Sequence, residues 1–265
     1  MASFFGVCMH NFIEQAHPEW RTMLRCALDV MDVGYLAKLK SSNNWLPGSK
    51  CIFSAFSLPL SSTHYILLGE SPYPRAQSAN GYAFWDKAVG SLWSSNGLSK
   101  EVNRATSLRN LIKMLLFARG DLLGDFSQDA IANLDKSNYT STAKQLFGAF
   151  IREGFLLLNA SLVYVDGQVP YHARMWRPFI HCLFNQLAEY NASLKLVLLG
   201  RIAEKTPKTA LLPGLLAEHP YNISFITNKE VVAFFKPMDL LGSVGTSTIL
   251  ASEMLTDPRQ AGIST

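Results

Sequence analysis

Three short apolar runs constrain this chain more than any other feature. Tyr65-Ile66-Leu67-Leu68 stops at Gly69, Phe155-Leu156-Leu157-Leu158 stops at Asn159, and Leu194 to Leu199 stops at Gly200. Runs of this length are long enough for buried strands and too short for helices. A fourth candidate, Leu215 to Ala217, stops at Glu218-His219-Pro220. Between them lie segments with helical spacing. Ser107 to Phe117 carries Leu108, Leu111, Ile112, Leu115 and Leu116 on one stripe, with Ser107 or Thr106 placed to cap it. Thr142 to Arg152 reads as a helix closed by Gly154, Met175 to Leu187 is amphipathic, and Arg201 to Lys205 starts a helix aimed back at the strand ends. Alternating strand and helix predicts a three-layer α/β/α sandwich around a central, mainly parallel four-stranded sheet.

The remainder fits one domain over residues 1–265, with its core at about 45–241. Ahead of the core, His17-Pro18-Glu19-Trp20 reads as a helix start followed by an apolar stripe of Trp20, Met23, Leu24 and Ala27. Trp45 to Gly48 is a turn into Cys51 to Phe56, a short strand or extended piece. Gly120 to Ser141 is a polar surface connection with some helix, and the Gly-, Ser- and Thr-rich stretch past Leu241 predicts a flexible tail. At 48% hydrophobic and 17% charged residues the composition is that of a soluble globular protein. The apolar runs are too short to span a membrane. The first ten residues lack the basic and apolar regions of a signal peptide, so the expected compartment is the cytoplasm. Cys8, Cys26, Cys51 and Cys182 are scattered without a C-x-x-C pair, which suits reduced thiols and disfavours zinc or an iron–sulfur cluster. No coiled-coil pattern or interface stripe argues against a monomer. A net charge of +4 permits a polyanionic partner without requiring one.

In a parallel sheet the four strand exits share one edge, where open α/β proteins bind their ligands. The first exit is the most crowded: Pro72 and Pro74 exclude a ladder strand and a helix interior, leaving a stiff loop with Glu70, Ser71, Tyr73 and Arg75. The others bring Asn159, Gly200 and His219. Taken singly, Asn159 is a turn residue and His219 a loop or capping histidine. Their arrival at one edge favours a site.

Their order resembles the uracil-DNA glycosylase family. The family's G-Q-D-P-Y-H motif is similar to G-E-S-P-Y-P, Gly69 to Pro74, and its H-G-L-x-F-S to N-G-Y-A-F-W, Asn80 to Trp85. L-L-L-N-A is intact at Leu156 to Ala160, and H-P-S-P-L-S is matched by H-P-Y-N-I-S, His219 to Ser224. S-L-R-N-L, Ser107 to Leu111, resembles the family's S-L-K-N-I, and V-L-L-G-R-I-A-E-K, Val197 to Lys205, its G-S-Y-A-Q-K. The likeness runs from near Trp45 to about Leu241.

The resemblance implies an enzyme that flips uracil out of single- or double-stranded DNA and hydrolyses its glycosidic bond without a cofactor. By the same resemblance Phe84 stacks on the base, Tyr73 stands against C5 to exclude thymine, and Asn159 bonds N3–H and O4. His219 would serve O2 and the departing anion. Ile223 takes the place of the family's leucine wedge, and Ser107, Ser224 and the backbone at Gly200 grip phosphates, with charge from Arg201 and Lys205. The bland reading of Phe84 and Tyr73 is core packing. One departure bears on rate: the family's water-orienting aspartate is Ser71, a neutral hydroxyl, with the carboxylate Glu70 beside it. Glu-Ser is also similar to the G-E-A-P-G motif of an iron–sulfur branch of uracil glycosylases, whose cysteine pattern is missing here. Pro74 replaces the family's histidine, and N-R-A-T its proline-rich loop. The sequence therefore predicts a slow glycosylase in which Glu70 or His219 partly substitutes for the aspartate. The rival is a lapsed glycosylase fold that binds DNA or a protein. A serine hydrolase is disfavoured, because Tyr73 stands where the nucleophile elbow needs glycine and Pro72 lacks the oxyanion N–H.

Overall fold

The computed structural model describes residues 9–42, 44–206 and 208–242. Its strands are β1 (Tyr65–Gly69), a short hairpin of β2 (Trp93–Ser94) and β3 (Gly97–Leu98), then β4 (Phe155–Asn159), β5 (Lys195–Leu199) and β6 (Leu212–Ala217). The central sheet has the order β4-β1-β5-β6, and every pairing in it is parallel. Alternate residues of each strand therefore face opposite cores. Ile66, Leu68, Leu156, Leu158, Leu196 and Leu198 pack against α1 (Arg21–Asp29), α2 (Val33–Ser41) and the long α7 (Val169–Tyr190). Leu67, Phe155, Leu157, Val197 and Leu199 pack against α4 (Thr106–Arg119), α6 (Ala143–Arg152) and α9 (Lys229–Phe235). The shorter α3 (Lys100–Arg104), α5 (Gln128–Ala132) and α8 (Ile202–Lys205) complete the helices. A sheet covered on both faces needs continuous apolar strands, which is why its runs show no polar alternation.

Several local expectations hold. Thr142 caps α6 in a full capping box with Gln145, and Gly154 takes the left-handed conformation (φ +82°) just beyond that helix. His17 caps the turn at Pro18–Trp20 that leads into α1. Others need correction. Cys51 to Phe56 is not a strand: its backbone closes on itself through Ser54 N–H to Cys51 O (3.1 Å) and Phe56 N–H to Phe53 O (3.0 Å). Ile52, Phe53 and Phe56 are buried there as a plug, and apolar character alone does not distinguish plug from strand. Neither Thr106 nor Ser107 caps α4, because Ala105 is at once the end of α3 and the start of α4. The last strand begins earlier than expected, at Leu212, with a register shift where Leu196 faces Pro213 and Val197 faces Leu215. Gly214 is the residue skipped; its missing Cβ would stand 2.8 Å from the Lys195 Cβ. A Pro-Gly pair is tolerated in an edge strand at a bulge. Cys26, Cys51 and Cys182 are free thiols. The tail expected past Leu241 lies, apart from Gly242, outside the described residues, as do Cys8 and the rest of residues 1–8.

Phe150 of α6 lies fully buried among Phe147, Phe155 and Phe235, with ring centroids 5.2–6.0 Å away. Phe150→Ala is expected to lower unfolding free energy by about 3–5 kcal/mol, read from the urea midpoint.

Candidate active site

The register places Gly69, the last residue of β1, directly beside Asn159, the last residue of β4. From these neighbouring ends the chain departs to opposite faces, from β1 toward α4 and α6 and from β4 toward α7. A switch of this kind opens a crevice at the carboxyl edge of a parallel sheet. Here the crevice has a volume of about 1100 Å³. Glu70, Ser71, Tyr73, Phe84, Ser107, Asn159, Gly200, Arg201 and His219 all line it, so nearly every predicted site residue is brought together. Ile223 and Ser224 stand beyond its wall, at the start of a 3₁₀ turn (Ile223–Thr227).

Asn159 is buried, and its carboxamide makes no hydrogen bond to another side chain or to backbone among the described residues. It is wedged against the bare backbone of Gly69, where a Cβ would lie 2.6 Å from Oδ1 and 2.9 Å from the Ala83 Cβ. As a crevice-lining amide it leaves a donor and an acceptor turned to that space. Tyr73 donates its hydroxyl proton to Phe84 O (3.1 Å). Burial, helped by the nearby Asp86 carboxylate, pushes its phenol up to about 12, so it stays neutral. Phe84 adopts φ +63°, a conformation that disfavours a side chain and is held only when its surroundings dictate it. Ala83 N–H to Leu157 O (3.0 Å) and the Tyr73 hydroxyl are the bonds that hold this turn. The Phe84 ring thereby faces His219, centroids 6.2 Å apart and planes inclined by 26°.

His219 Nδ1 accepts a hydrogen bond from the Tyr221 N–H (3.0 Å). Burial lowers its pKa, with Glu70 opposing the shift. An imidazole that is neutral and accepts at Nδ1 carries its proton on Nε2, where it is a donor. Gly200, at φ +81°, lets this residue approach: a Cβ there would lie 2.8 Å from the His219 Cβ. Asn110 was not singled out in the sequence, although it lies within Ser107 to Leu111. It is buried in α4, and its Nδ2 reaches Pro220 O (2.8 Å) and Tyr221 O (3.3 Å), pinning the loop that carries His219. An asparagine on the apolar stripe of a helix is the signal that was available.

The carboxylates are disposed differently from the simplest expectation. Glu70 lines the crevice but bonds Lys205 Nζ of α8 (2.7 Å), with both side chains more than half exposed. Ser71 lies half-buried beside it, with no carboxylate of its own to offer. Ser224 donates its hydroxyl to Glu218 Oε2. Ile223 is a large apolar side chain that stands 80% exposed. Tyr164, also unforeseen, reaches the crevice from the loop after β4, its hydroxyl on Asp166 (3.0 Å). Among the described residues no helix is long and apolar enough to cross a membrane.

Aromatic walls, an amide without a protein partner among the described residues and a neutral imidazole place the chain among α/β proteins with a ligand-sized crevice at a sheet's switch point. No protein-family model matches the chain. A uracil-DNA glycosylase from Helicobacter pylori (strain Shi470) is 32% identical over 200 residues, covering 72% of this chain and 74% of that protein. One from Corynebacterium glutamicum is 24% identical over 247 residues, covering 88% and 91%. The crystal structure of UNG from Nitratifractor salsuginis superposes with a TM-score of 0.84 at 40% identity, covering 89% of this chain and 97% of that one. The chain belongs to the uracil-DNA glycosylase family, and it is an enzyme of that family's glycosylase class.

Three outcomes follow from this geometry. Asn110→Ala strands the Pro220 carbonyl and should cost about 1–3 kcal/mol in urea unfolding, with faster amide exchange at Tyr221. His219 and His172 both have pKa values lowered from 6.5 by burial, so the unfolded chain binds more protons just below that pH. Their contribution to stability is therefore present above pH 6.5 and lost as pH falls toward their folded values. Nitrogen-detected NMR should find His219 as the Nε2–H tautomer at pH 7.

Proposed function

We propose that this enzyme turns a uracil nucleotide out of DNA into the crevice and hydrolyses its N-glycosidic bond, leaving an abasic site. The observation that carries the reading is the Asn159 carboxamide, held at the end of β4 in the crevice with no protein partner among the described residues. Fixed against Gly69, it offers one donor and one acceptor to a pyrimidine edge: Nδ2–H to O4 and Oδ1 to N3–H. A site built this way rejects bases that leave its groups unpaired. Phe84 supplies the face on which the ring stacks. The neutral Tyr73 stands against C5, where a methyl group would clash.

As the C1′–N1 bond breaks, its electron pair leaves with the base and charge gathers on O2. A neutral Nε2–H of His219 donates to that oxygen, and needs no proton transfer to do so. Water then adds to C1′ and releases its proton to solvent, from which the departed uracil anion takes one up. Ser71 can hold that water by its hydroxyl, but it brings no negative charge toward the cationic sugar. Glu70 is the nearest carboxylate in sequence, and its ion pair with Lys205 draws it toward α8. That contact supports slow water activation. It also favours a second reading, a lapsed enzyme that retains the base pocket for binding DNA. Exposed Ile223 suits a wedge that fills the gap left by the base, and Ser107, Ser224, Arg201 and the Gly200 backbone suit phosphates around it.

The test is release of uracil from single- and double-stranded DNA by purified protein. Abasic product at a rate well below the family's ordinary turnover is expected. Ser71→Asp should raise that rate by ~10²–10³-fold, the usual worth of one well-placed electrostatic group. Absence of product at high enzyme concentration, with DNA still bound, would establish the lapsed form.

A further inference from the structure

A second hollow lies beside the crevice, with Tyr82 as a wall common to both. Its volume is about 470 Å³, within the range of small-ligand sites. Trp85 and Val89 complete an apolar lining, and the indole is backed by Phe147 (centroids 5.8 Å, planes 12°) and neighbours the Tyr82 ring at 5.0 Å. Two ammonium groups stand at it, Lys87 and Lys144, both on exposed residues and neither in an ion pair among the described residues. No acidic residue lines it. Asp86, between Trp85 and Lys87 in sequence, is buried and engaged elsewhere, with Oδ2 on Arg75 (2.9 Å) and Oδ1 accepting from the Ala88 N–H (2.9 Å).

Half-buried aromatic rings flanked by unpaired cations are the combination that single-stranded nucleic acid requires: a platform for a base and counter-charge for its phosphate. We propose that this hollow is a second nucleotide subsite for single-stranded DNA. It takes the base of a neighbouring nucleotide in the strand whose flipped residue enters the crevice, packing it on Trp85 and Tyr82 with its phosphate between Lys87 and Lys144. The subsite rests on the reading of the crevice as a DNA site, and it is continuous with that crevice through Tyr82. Stacking on the two rings tolerates any base, so the subsite adds affinity for strand with little sequence preference.

The experiment is fluorescence anisotropy of the full chain with a labelled, uracil-free single-stranded 15-mer across a salt series, run beside the uracil-release assay. Lys87→Gln/Lys144→Gln should raise Kd on the order of tenfold and flatten the slope of log K against log salt by about 0.7, the worth of one phosphate on a single strand. Trp85→Ala should raise Kd with the slope unchanged. Its folding is checked by thermal melting, and the lysine pair carries the test if it melts early. Lys195→Gln, at the amino edge of the sheet, should change neither. An unchanged Kd and slope in the lysine double variant overturns the subsite, whatever the enzyme's activity. A shifted Kd without any uracil release from the parent protein supports the subsite and overturns only the catalytic reading.

Discussion

The crevice depends on two strands that end at the same level with no side chain between them. Gly69 is bare, so the Asn159 carboxamide can lie against its backbone at a distance any Cβ would obstruct, and Ala83 closes the other side. The amide is thereby oriented by packing and not by a hydrogen bond, which leaves both its polar atoms for a ligand. The same arrangement recurs at the third strand, where Gly200 lets the His219 loop settle against it. Asn110 fastens that loop from beneath. Each pocket group is held by backbone contacts it does not itself supply, and this is what gives a polar site its preorganisation.

Charge is distributed in a way that separates binding from turnover. The polar groups inside the crevice, Asn159, Tyr73 and His219, are neutral at physiological pH, the last two because burial opposes their charged forms. The charged groups stand at the rim, where Glu70 meets Lys205 and Ser224 meets Glu218. With both partners more than half exposed, a pair such as Glu70–Lys205 is worth only ~0–1 kcal/mol. Breaking such a rim contact therefore costs little. The neighbouring hollow extends the same rule, with aromatic surface inside and lysines outside.

Much of this was legible along the chain. The runs ending at Gly69, Asn159 and Gly200 identified three of the four central strands to within a residue, because a strand buried on both faces must be continuously apolar. The ordered exits identified most of the crevice as well, since parallel strands deliver their last residues to one edge. The errors share a cause. Cys51 to Phe56 is as apolar as a strand, but its backbone bonds close local turns and it packs as a plug. Pro213-Gly214 looks like a break, yet an edge strand absorbs it as a bulge.

The sequence by itself determined the layered α/β fold, the stiff proline loop after the first strand, and a neutral hydroxyl at Ser71. These follow from side-chain polarity and backbone restriction, which act locally. Only the tertiary structure decided what each polar group does. It turned Glu70 toward Lys205, 135 positions away, and set Asn110 under the His219 loop, 110 positions from Pro220. Such partners are chosen by the packing of whole layers, and no local pattern in the chain encodes them.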